Sequence, residues 1–254
     1  MFAEERLDQI LNILNTEGKV KVKNLSQRFD VTEDCIRKDL RQLENSGHLK
    51  RTYGGAIKVR QSTHEYDTSK RSENYVANKT KIAEKAFNLI KDRETIFLDL
   101  STINMIIAKL LAESNKRVTV VTNMLDIINI LSTSNNNITV IATGGVLNKS
   151  ISGFVGAATI NFIEKYKFDL SFIGSCGIDV FDKSITTFEI EDGITKSAII
   201  NASKKTYLVM ENTKFNIDGN YKFSDIEAIN GIITDALPSI DIVDILNENN
   251  ICIK

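Results

Sequence analysis

Three cations lie close together on one side of a predicted helix. Arg37, Lys38 and Arg41 fall on the side of a 3.6-residue wheel that also carries Asp34 and Asn45. The opposite side is apolar and contains Ile36, Leu40 and Leu43. A helix that holds long hydrogen-bond donors outward and apolar side chains inward suits the major groove of DNA. A charged face that meets only water is the alternative, and the neighbouring elements decide between the two.

The segments around this helix predict a winged helix-turn-helix. Leucine and isoleucine at helical spacing predict an amphipathic helix over residues 3–16, and a second short helix follows it. Thr32 is placed to cap the third helix, which Gly47 ends. Residues 48–53 then alternate like a strand, and a Gly-Gly pair turns the wing.

This segment resembles the N-terminal domain of the DeoR/GlpR family of bacterial sugar-metabolism repressors. The matching positions are Val22, Leu25, Phe29, Val31, Thr32, Ile36, Arg37, Lys38, Asp39, Leu40, Leu43, Gly47, Leu49, Arg51, Gly54, Gly55 and Ala56. Cys35 replaces the family's Thr, and Lys38 replaces its second Arg, so the planar fork that binds a base is lost there. The resemblance implies a DNA-binding set made of Thr32, Arg37, Lys38, Arg41, Lys50, Arg51 and Tyr53. Within it, Arg37 and Lys38 are expected at base edges, the other cations at phosphates, and Tyr53 on the wing.

The distribution of charge predicts a small basic N-terminal domain followed by a larger acidic part of the chain. Residues 1–60 hold 12 Lys and Arg against 9 Asp and Glu, a charge of +3, and the remainder holds 20 against 24, a charge of −4. Three scattered cysteines and two histidines predict neither a disulfide framework nor a metal site. No apolar run approaches the roughly 20 residues that span a bilayer, and no signal peptide is recognised, so we expect a cytoplasmic protein without membrane contact.

The rest of the chain alternates between strand and helix patterns. We divide it into a DNA-binding domain at 1–57, a polar linker at 58–74 and an α/β domain at 75–254, whose first helix begins near Tyr75. Strands are predicted at residues 95–100, 118–122, 138–142, 170–174, 207–210, 229–234 and 251–253. Helices are predicted around residues 82–90, 105–111, 124–131, 154–166, 191–203 and 240–246. This order predicts a mostly parallel, Rossmann-like sheet covered on both faces.

Small and polar residues follow five of these strands. They are Asp99, Ser101 and Thr102, then Thr122 and Asn123, then Gly144 and Gly145, then Gly177 and Asp179, and finally Lys214. Carboxyl ends of parallel strands meet at one edge of a sheet, where ligands bind. The recurrence predicts a polyol or phosphate pocket, although a Gly-Gly pair after a strand is more often turn chemistry.

The α/β part resembles the sensor domain of the same family, and the resemblance covers residues 3–235. The matching positions are Arg71, Lys79, Asp99, Thr102, Thr122, Asn123, Gly144, Gly145, Ser152, Gly156, Gly177, Ile178, Asp179, Glu191, Lys214 and Phe215. It implies a fold like that of ribose-5-phosphate isomerase and glucosamine-phosphate deaminase, with a bound sugar phosphate that releases the repressor from DNA. Apolar Leu100 and Ile103 stand in the family's hydroxyl-rich loop. Thr195 stands four residues after Glu191, where many relatives place lysine, and Glu211 replaces an aspartate.

The sequence therefore predicts a homo-oligomeric regulator that binds double-stranded DNA, with a sugar or sugar-phosphate effector and no cofactor or metal. Repression is the usual sense of regulation in the family that it resembles. The expected effector-binding set is Asp99, Ser101, Thr102, Thr122, Asn123, Gly144, Gly145, Ser152, Gly177, Asp179, Glu191 and Lys214. Two alternatives stay open at this point. One is a sugar-phosphate isomerase-like enzyme that uses the carboxylates as bases, and the other is a DNA-binding protein with a degenerate sensor.

Overall fold

A computed structural model describes residues 3–46, 48–58, 76–133, 137–215, 217 and 219–254. The chain divides into compact units, of which the first contains Met1–Gln61 and the second contains Ser62–Lys214 and Asp218–Lys254. The helix end predicted at Gly47, the position of Arg71 and the predicted linker, apart from Lys58, lie outside the described residues. The two units are described separately below.

The first unit is the predicted winged helix-turn-helix. Its elements are α1 (Ala3–Glu17), β1 (Lys19–Lys21), α2 (Val22–Phe29), α3 (Glu33–Asn45), β2 (Leu49–Thr52) and β3 (Gly55–Lys58). The strands form an antiparallel sheet in the order β1-β3-β2. Side chains from all three helices and the sheet form one apolar core, which includes Ile10, Leu14, Leu25, Phe29, Ile36, Leu40 and Leu49.

Strand β1 was not predicted from the sequence. It is three residues long and alternates exposed, buried and exposed, with Val20 inward. A run this short gives almost no periodic signal, and it forms because it pairs with the wing strand β3.

The second unit is the predicted α/β fold. Its helices are α4 (Val76–Leu89), α5 (Thr102–Ala112), α6 (Leu125–Ser132), α7 (Ala157–Ile163), α8 (Ile190–Asn201) and α9 (Ile240–Glu248). Seven parallel strands form its main sheet: β4 (Thr95–Leu98), β5 (Thr119–Thr122), β6 (Thr139–Ala142), β9 (Leu170–Gly174), β12 (Thr206–Val209), β14 (Gly231–Ile233) and β15 (Cys252–Ile253). The inner strands are buried on both sides, as a parallel sheet requires.

Two antiparallel additions correct the predicted element order. Strands β7 (Val146–Asn148) and β8 (Gly153–Val155) form a hairpin, so the helix predicted from residue 154 begins only at Ala157. A separate sheet joins β10 (Gly177–Asp179), β11 (Ser184–Thr187) and β13 (Tyr221–Asp225). These strands are too short to show a period of two, and their pairing partners are distant in sequence or separated by tight turns.

The strand order β15-β14-β12-β9-β4-β5-β6 creates a switch point between β4 and β9. From β4 the chain proceeds outward to β5 and β6, and it then returns to the other side of β4 to form β9. The connections that leave β4 and β9 therefore go in opposite directions. In an open α/β sheet this arrangement opens a crevice at the carboxyl ends of those two strands.

Candidate nucleic-acid interface and candidate effector site

Helix α3 has the two faces that its sequence predicts. Its apolar side chains Ile36, Leu40 and Leu43 are at most 4% exposed, whereas the side chains of Arg37, Lys38 and Arg41 lie on the exposed face. The helix begins where the Thr32 hydroxyl oxygen accepts a hydrogen bond from the Cys35 N–H at 3.3 Å. The Thr32 side chain therefore caps the helix, and its expected DNA contact remains a prediction.

A buried ion pair joins α1 to α3. Arg6 donates from Nε to Asp39 Oδ2 at 2.6 Å and from Nη2 to Asp39 Oδ1 at 3.1 Å, and both residues are at most 7% exposed. The hydrogen bond to Asp39 raises the pKa of Arg6, so the guanidinium stays charged. The pair was missed from the sequence. The available signal was an aspartate on the apolar side of a helix, which needs a partner when it is buried.

Arg37 is exposed but not free. Its Nη1 donates to Asp34 Oδ1 at 2.7 Å and its Nη2 donates to Glu33 Oε2 at 2.6 Å. These pairs were not predicted from the sequence, and the expected contact of Arg37 with a base edge remains a prediction. The spacings of three and four residues within one helix favour these pairs.

The wing is tied to α3 by a second arginine. Arg51 donates from its backbone N–H to Glu44 Oε1 at 2.9 Å and from Nε to Glu44 Oε2 at 2.6 Å. These hydrogen bonds with Arg51 lower the pKa of Glu44. Arg51 also ties strand β2 to α3 through these hydrogen bonds, and its expected contact with a phosphate remains a prediction. Tyr53, at the turn between β2 and β3, is fully exposed.

In the second unit, Asp99 lies at the switch point. It follows β4 directly, is completely buried, and its Oδ2 accepts a hydrogen bond from the N–H of Gly174 at the end of β9, at 3.0 Å. The same oxygen forms an ion pair with the ammonium of Lys196, which is also buried. Residues from both sides of the crevice and from α8 thus meet at one carboxylate.

Helix α8 contributes Asp192 to this cluster, whereas the sequence predicted Glu191 as the site residue of this helix. Glu191 is exposed, whereas Asp192 is buried and lies 3.1 Å from the Lys196 ammonium through Oδ1. Its Oδ2 accepts from the Thr187 hydroxyl at 2.7 Å. Burial raises the pKa of Asp192, and the charge of Lys196 only partly opposes this. The acid and the lysine that meet four residues apart are therefore Asp192 and Lys196. They lie one position after Glu191 and Thr195, the pair compared with the family.

Several predicted effector residues are engaged by the fold itself. The Thr122 hydroxyl donates to the Leu98 carbonyl at 2.6 Å and accepts from the Met124 N–H at 3.1 Å, so it fastens β5 to β4. The Ser101 hydroxyl caps α5 by accepting from the Ile103 N–H at 3.2 Å. Thr102 is the first residue of that helix. The Thr122 and Ser101 hydroxyls therefore already have hydrogen-bond partners within the protein that shape the crevice.

The glycines after β6 adopt turn conformations. Gly144 and Gly145 have φ values of +65° and +114°, and a Cβ at Gly145 would overlap the Thr159 hydroxyl. That hydroxyl donates to the Gly144 carbonyl at 2.7 Å. The alternative of turn chemistry therefore accounts for this pair, which leads the chain into the β7–β8 hairpin. Ser152 also has a positive φ, of +52°, at the far side of the same hairpin.

Asp179 likewise has a local role. Its Oδ1 accepts from the N–H groups of Phe181 at 2.8 Å and Asp182 at 3.3 Å, which closes the turn between β10 and β11. Gly177 is buried within β10, where it pairs with Thr186. Their expected contact with an effector remains a prediction.

A second charged cluster lies at the carboxyl end of β12. Glu211 is ion-paired with Lys79 from α4 at 3.7 Å and with Lys214 at 3.3 Å. Burial alone would raise the pKa of Glu211, but the charges of Lys214 and Lys79 outweigh it and the pKa is lowered. Lys214 also donates to the Ser175 carbonyl at 3.0 Å. Since Ser175 follows Gly174, this cluster adjoins the one around Asp99.

Buried acceptor oxygens remain without a hydrogen bond near the switch point. Among the described residues they include Oδ1 of Asp99, Asn104 and Asn123, all in side chains that are fully buried. The amide nitrogens of Asn104 and Asn123 donate to backbone carbonyls, which fixes each amide with its oxygen unused. Buried polar atoms in folded proteins nearly always have a partner, so these oxygens suit a ligand that supplies donors.

Another cleft, of about 320 Å³, lies at the opposite edge of the main sheet. Its lining includes Glu164, Lys167, Asn201, Ser203 and Lys204. Lys204 is already paired with an aspartate at 2.7 Å, and none of the described lining residues contains a buried unpartnered polar atom. Ligands in open α/β sheets bind at the carboxyl ends of strands, so the switch point is the stronger candidate.

The described part of the chain shows no group of three or more His, Cys, Asp or Glu side chains that could hold a metal ion. Within the same residues, no helix is both long and apolar enough to cross a membrane.

Comparison with known proteins gives a family match for each part of the chain. The family model of the DeoR-like helix-turn-helix domain matches residues 6–62, and that of the DeoR C terminal sensor domain matches residues 74–236. The chain is 33% identical to the uncharacterized HTH-type transcriptional regulator YulB of Bacillus subtilis over 93% of its length and 90% of the relative's. It is 30% identical to the glycerol-3-phosphate regulon repressor of Escherichia coli over 97% of its length and 96% of the relative's.

Among solved structures, ribose 5-phosphate isomerase A from Neisseria gonorrhoeae matches 54% of this chain and 52% of its own. The TM-score is 0.39 at 14% identity. A similarity of this extent supports no conclusion about function.

Proposed function

Since this chain belongs to the DeoR family of DNA-binding transcriptional regulators, we propose that it represses carbohydrate-metabolism genes until a sugar or sugar-phosphate effector binds its second unit. The family and the relatives are regulators rather than enzymes. The observation that carries the proposal is the combination, in one chain, of a recognition helix with outward cations and a buried polar crevice with unused acceptors. We place the protein in the cytoplasm as a homo-oligomer with a DNA-binding domain at 1–57 and a sensing domain at 75–254.

The DNA contact is proposed for α3 and the wing. Arg37 and Lys38 reach base edges in the major groove, Arg41 and Lys50 neutralise phosphates, and Tyr53 lies against the backbone beside the wing. Exposure of Arg37, Lys38 and Arg41 on one face supports this assignment. Arg51 contributes mainly by holding the wing, because its side chain is bound to Glu44.

Substitution separates base reading from phosphate binding. A duplex is first selected from a random pool by the unmodified protein, and binding to it is compared with binding to random duplex. Arg37→Ala should weaken the selected duplex by about 1–3 kcal/mol and reduce the preference, whereas Lys50→Ala should weaken both duplexes alike. Lys167→Ala, in the second unit, is the control. Equal loss on both duplexes with Arg37→Ala would remove the base-reading assignment.

The effector site is proposed at the switch point. Lys79 and Lys214 offer positive charge for a phosphate or another anionic group, with Glu211 between them. Asp99 and Asn123 offer acceptor oxygens for the hydroxyl groups of a sugar. The relative named as the glycerol-3-phosphate regulon repressor supports a phosphorylated polyol as the class to test first.

A thermal-shift screen against phosphorylated and unphosphorylated sugars tests this site. A ligand present at about 100 times its Kd stabilises the folded protein by about 2.7 kcal/mol, which is easily measured. The shift should disappear with Lys214→Ala and persist with Lys109→Ala, which changes an exposed lysine on α5. The same compound should weaken binding to the selected duplex. Absence of any response to every sugar would favour a degenerate sensor.

Oligomerisation is tested by light scattering on the full chain. Paired recognition helices on repeated half-sites require at least a dimer. A monomer at micromolar concentration, with one recognition helix per bound duplex, would contradict this part of the proposal.

A further inference from the structure

The guanidinium of Arg37 is held by two carboxylates of its own helix. Asp34 binds one terminal nitrogen at 2.7 Å and Glu33 binds the other at 2.6 Å. The three side chains are 53%, 84% and 44% exposed for Arg37, Asp34 and Glu33, so this arrangement lies on the surface that would face DNA. Both terminal nitrogens of the fork are engaged before any nucleic acid arrives.

The position of these acids is well suited to persist. Glu33 and Asp34 lie in the first turn of α3, directly after the Thr32 cap, where the helix dipole favours negative charge. They lie four and three residues before Arg37, which are the spacings that bring side chains together on a helix. With two acids against Arg37, Lys38 and Arg41, the face carries a formal charge of +1 (3 − 2) instead of +3.

Two carboxylates beside a DNA-binding face oppose binding to any duplex, because every duplex presents phosphates. A duplex that offers Arg37 a guanine edge gives the guanidinium a bidentate partner in exchange for the carboxylates. A duplex that offers only phosphate at that position gives a weaker exchange, and the carboxylates remain close to the polyanion. The penalty from the acids therefore falls more heavily on the wrong sequence.

We propose that Glu33 and Asp34 are specificity-determining residues that act through Arg37, by suppressing its binding to phosphate on DNA without the preferred base. This inference rests on the proposed base-reading role of Arg37. Glu33 and Asp34 would then have a role in DNA recognition in addition to their favourable position in the first turn of α3.

The test uses the full chain with Glu33→Gln and Asp34→Asn combined, and it measures binding to the selected and random duplexes across a range of salt. Glu5→Gln with Asp8→Asn removes the same charge from α1 and serves as the matched control. The Glu33/Asp34 variant should bind random duplex about 3- to 10-fold more tightly, with a smaller gain on the selected duplex, so that the preference falls. The control variant should leave the preference unchanged.

Two outcomes would overturn the inference. One is an equal gain on both duplexes from the Glu33/Asp34 variant, which would indicate general electrostatics. The other is a persistent effect on the preference when Arg37 is already alanine, since the acids would then not act through it. If Arg37→Ala itself leaves the preference intact, the proposed base-reading role fails first. If Arg37→Ala removes the preference but the acid variant does not reduce it, only the present inference fails. Thermal unfolding of each variant checks that the first unit remains folded.

Discussion

Replacing Asp39 with alanine should destabilise the first unit more than its position near a charged helix face suggests. The substitution leaves Arg6 buried, still charged, and without either of the hydrogen bonds that now satisfy it. Arg6 cannot escape by losing its proton, because even an unperturbed guanidinium stays charged in proteins. Removing one partner of a buried ion pair costs about 3–5 kcal/mol.

The lower end of that range applies here. Arg6 and Asp39 retain 7% and 6% exposure in a small unit, so the guanidinium can reach water after a modest rearrangement. We therefore expect a loss of about 3 kcal/mol. A unit of this size has a stability of about 3–9 kcal/mol, so the loss is a large fraction of the whole.

Hydrogen exchange of the full chain measures this directly. The slowest amides of α1 and α3 should exchange about 100- to 200-fold faster in the Asp39→Ala protein, because each 1.4 kcal/mol is a factor of ten. Asp8→Ala, which removes an exposed carboxylate from α1, should change exchange by less than about threefold. The double variant Arg6→Met with Asp39→Leu should recover most of the loss, since apolar residues of similar volume often replace a buried pair well.

A loss below about 1 kcal/mol in Asp39→Ala would contradict this prediction, because the charge would then not be effectively buried. The prediction would also be refuted if the double variant were no more stable than the single one. In that case the destabilisation would come from lost packing and not from the unpaired guanidinium.

Substitutions at three further positions test local contacts. Thr32→Ala should cost the first unit about 1 kcal/mol in urea unfolding and Thr32→Ser should not, and equal losses would contradict the capping role. Glu44→Gln should speed exchange of the Arg51 amide and weaken DNA binding. Because Arg51 lowers the pKa of Glu44, the stability from this pair is present above about pH 4.3 and is lost as the pH falls through the lowered pKa. An effect of Glu44→Gln that does not depend on pH would contradict this. Burial raises the pKa of Asp192, so the stability linked to its protonated form is present below about pH 3.9 and lost as pH rises through the folded pKa. Asp192→Asn should therefore gain thermal stability relative to the unmodified protein as pH rises toward neutrality, and parallel pH profiles would contradict this.

The sequence was most informative where one helix face had a clear period. Ile36, Leu40 and Leu43 identified the buried side of α3, and Thr32 identified its start, because both signals are local. The order of strands and helices likewise predicted the parallel sheet. The intrahelical pairs of Arg37 could also have been predicted, since they follow from spacing alone.

The Arg6–Asp39 pair shows what sequence could not supply. The two residues are 33 positions apart, and no periodic pattern connects a particular arginine with a particular aspartate. Sequence can indicate that Asp39 needs a partner, but only the packing of α1 against α3 decides which one.

The predicted effector residues differ in how far the fold itself engages their side chains. Asp99 follows β4 and Lys214 follows β12, on either side of β9. The Thr122 hydroxyl is engaged between β5 and β4, and Gly145 is engaged in a turn. A polar residue after a strand has two competing roles, and only hydrogen-bond partners distinguish them. Lys196 was passed over because a one-residue change in helical register moves a side chain by about 100°.

Whether α3 reads DNA can be measured by selecting duplexes from a random pool with the full chain and titrating the selected sequence against salt. We expect one enriched sequence that binds at least about 1,000-fold more tightly than random duplex, with affinity that falls linearly on logarithmic axes as salt increases. No enrichment after repeated rounds, or binding that does not respond to salt, would contradict the assignment of α3 as a reader of DNA.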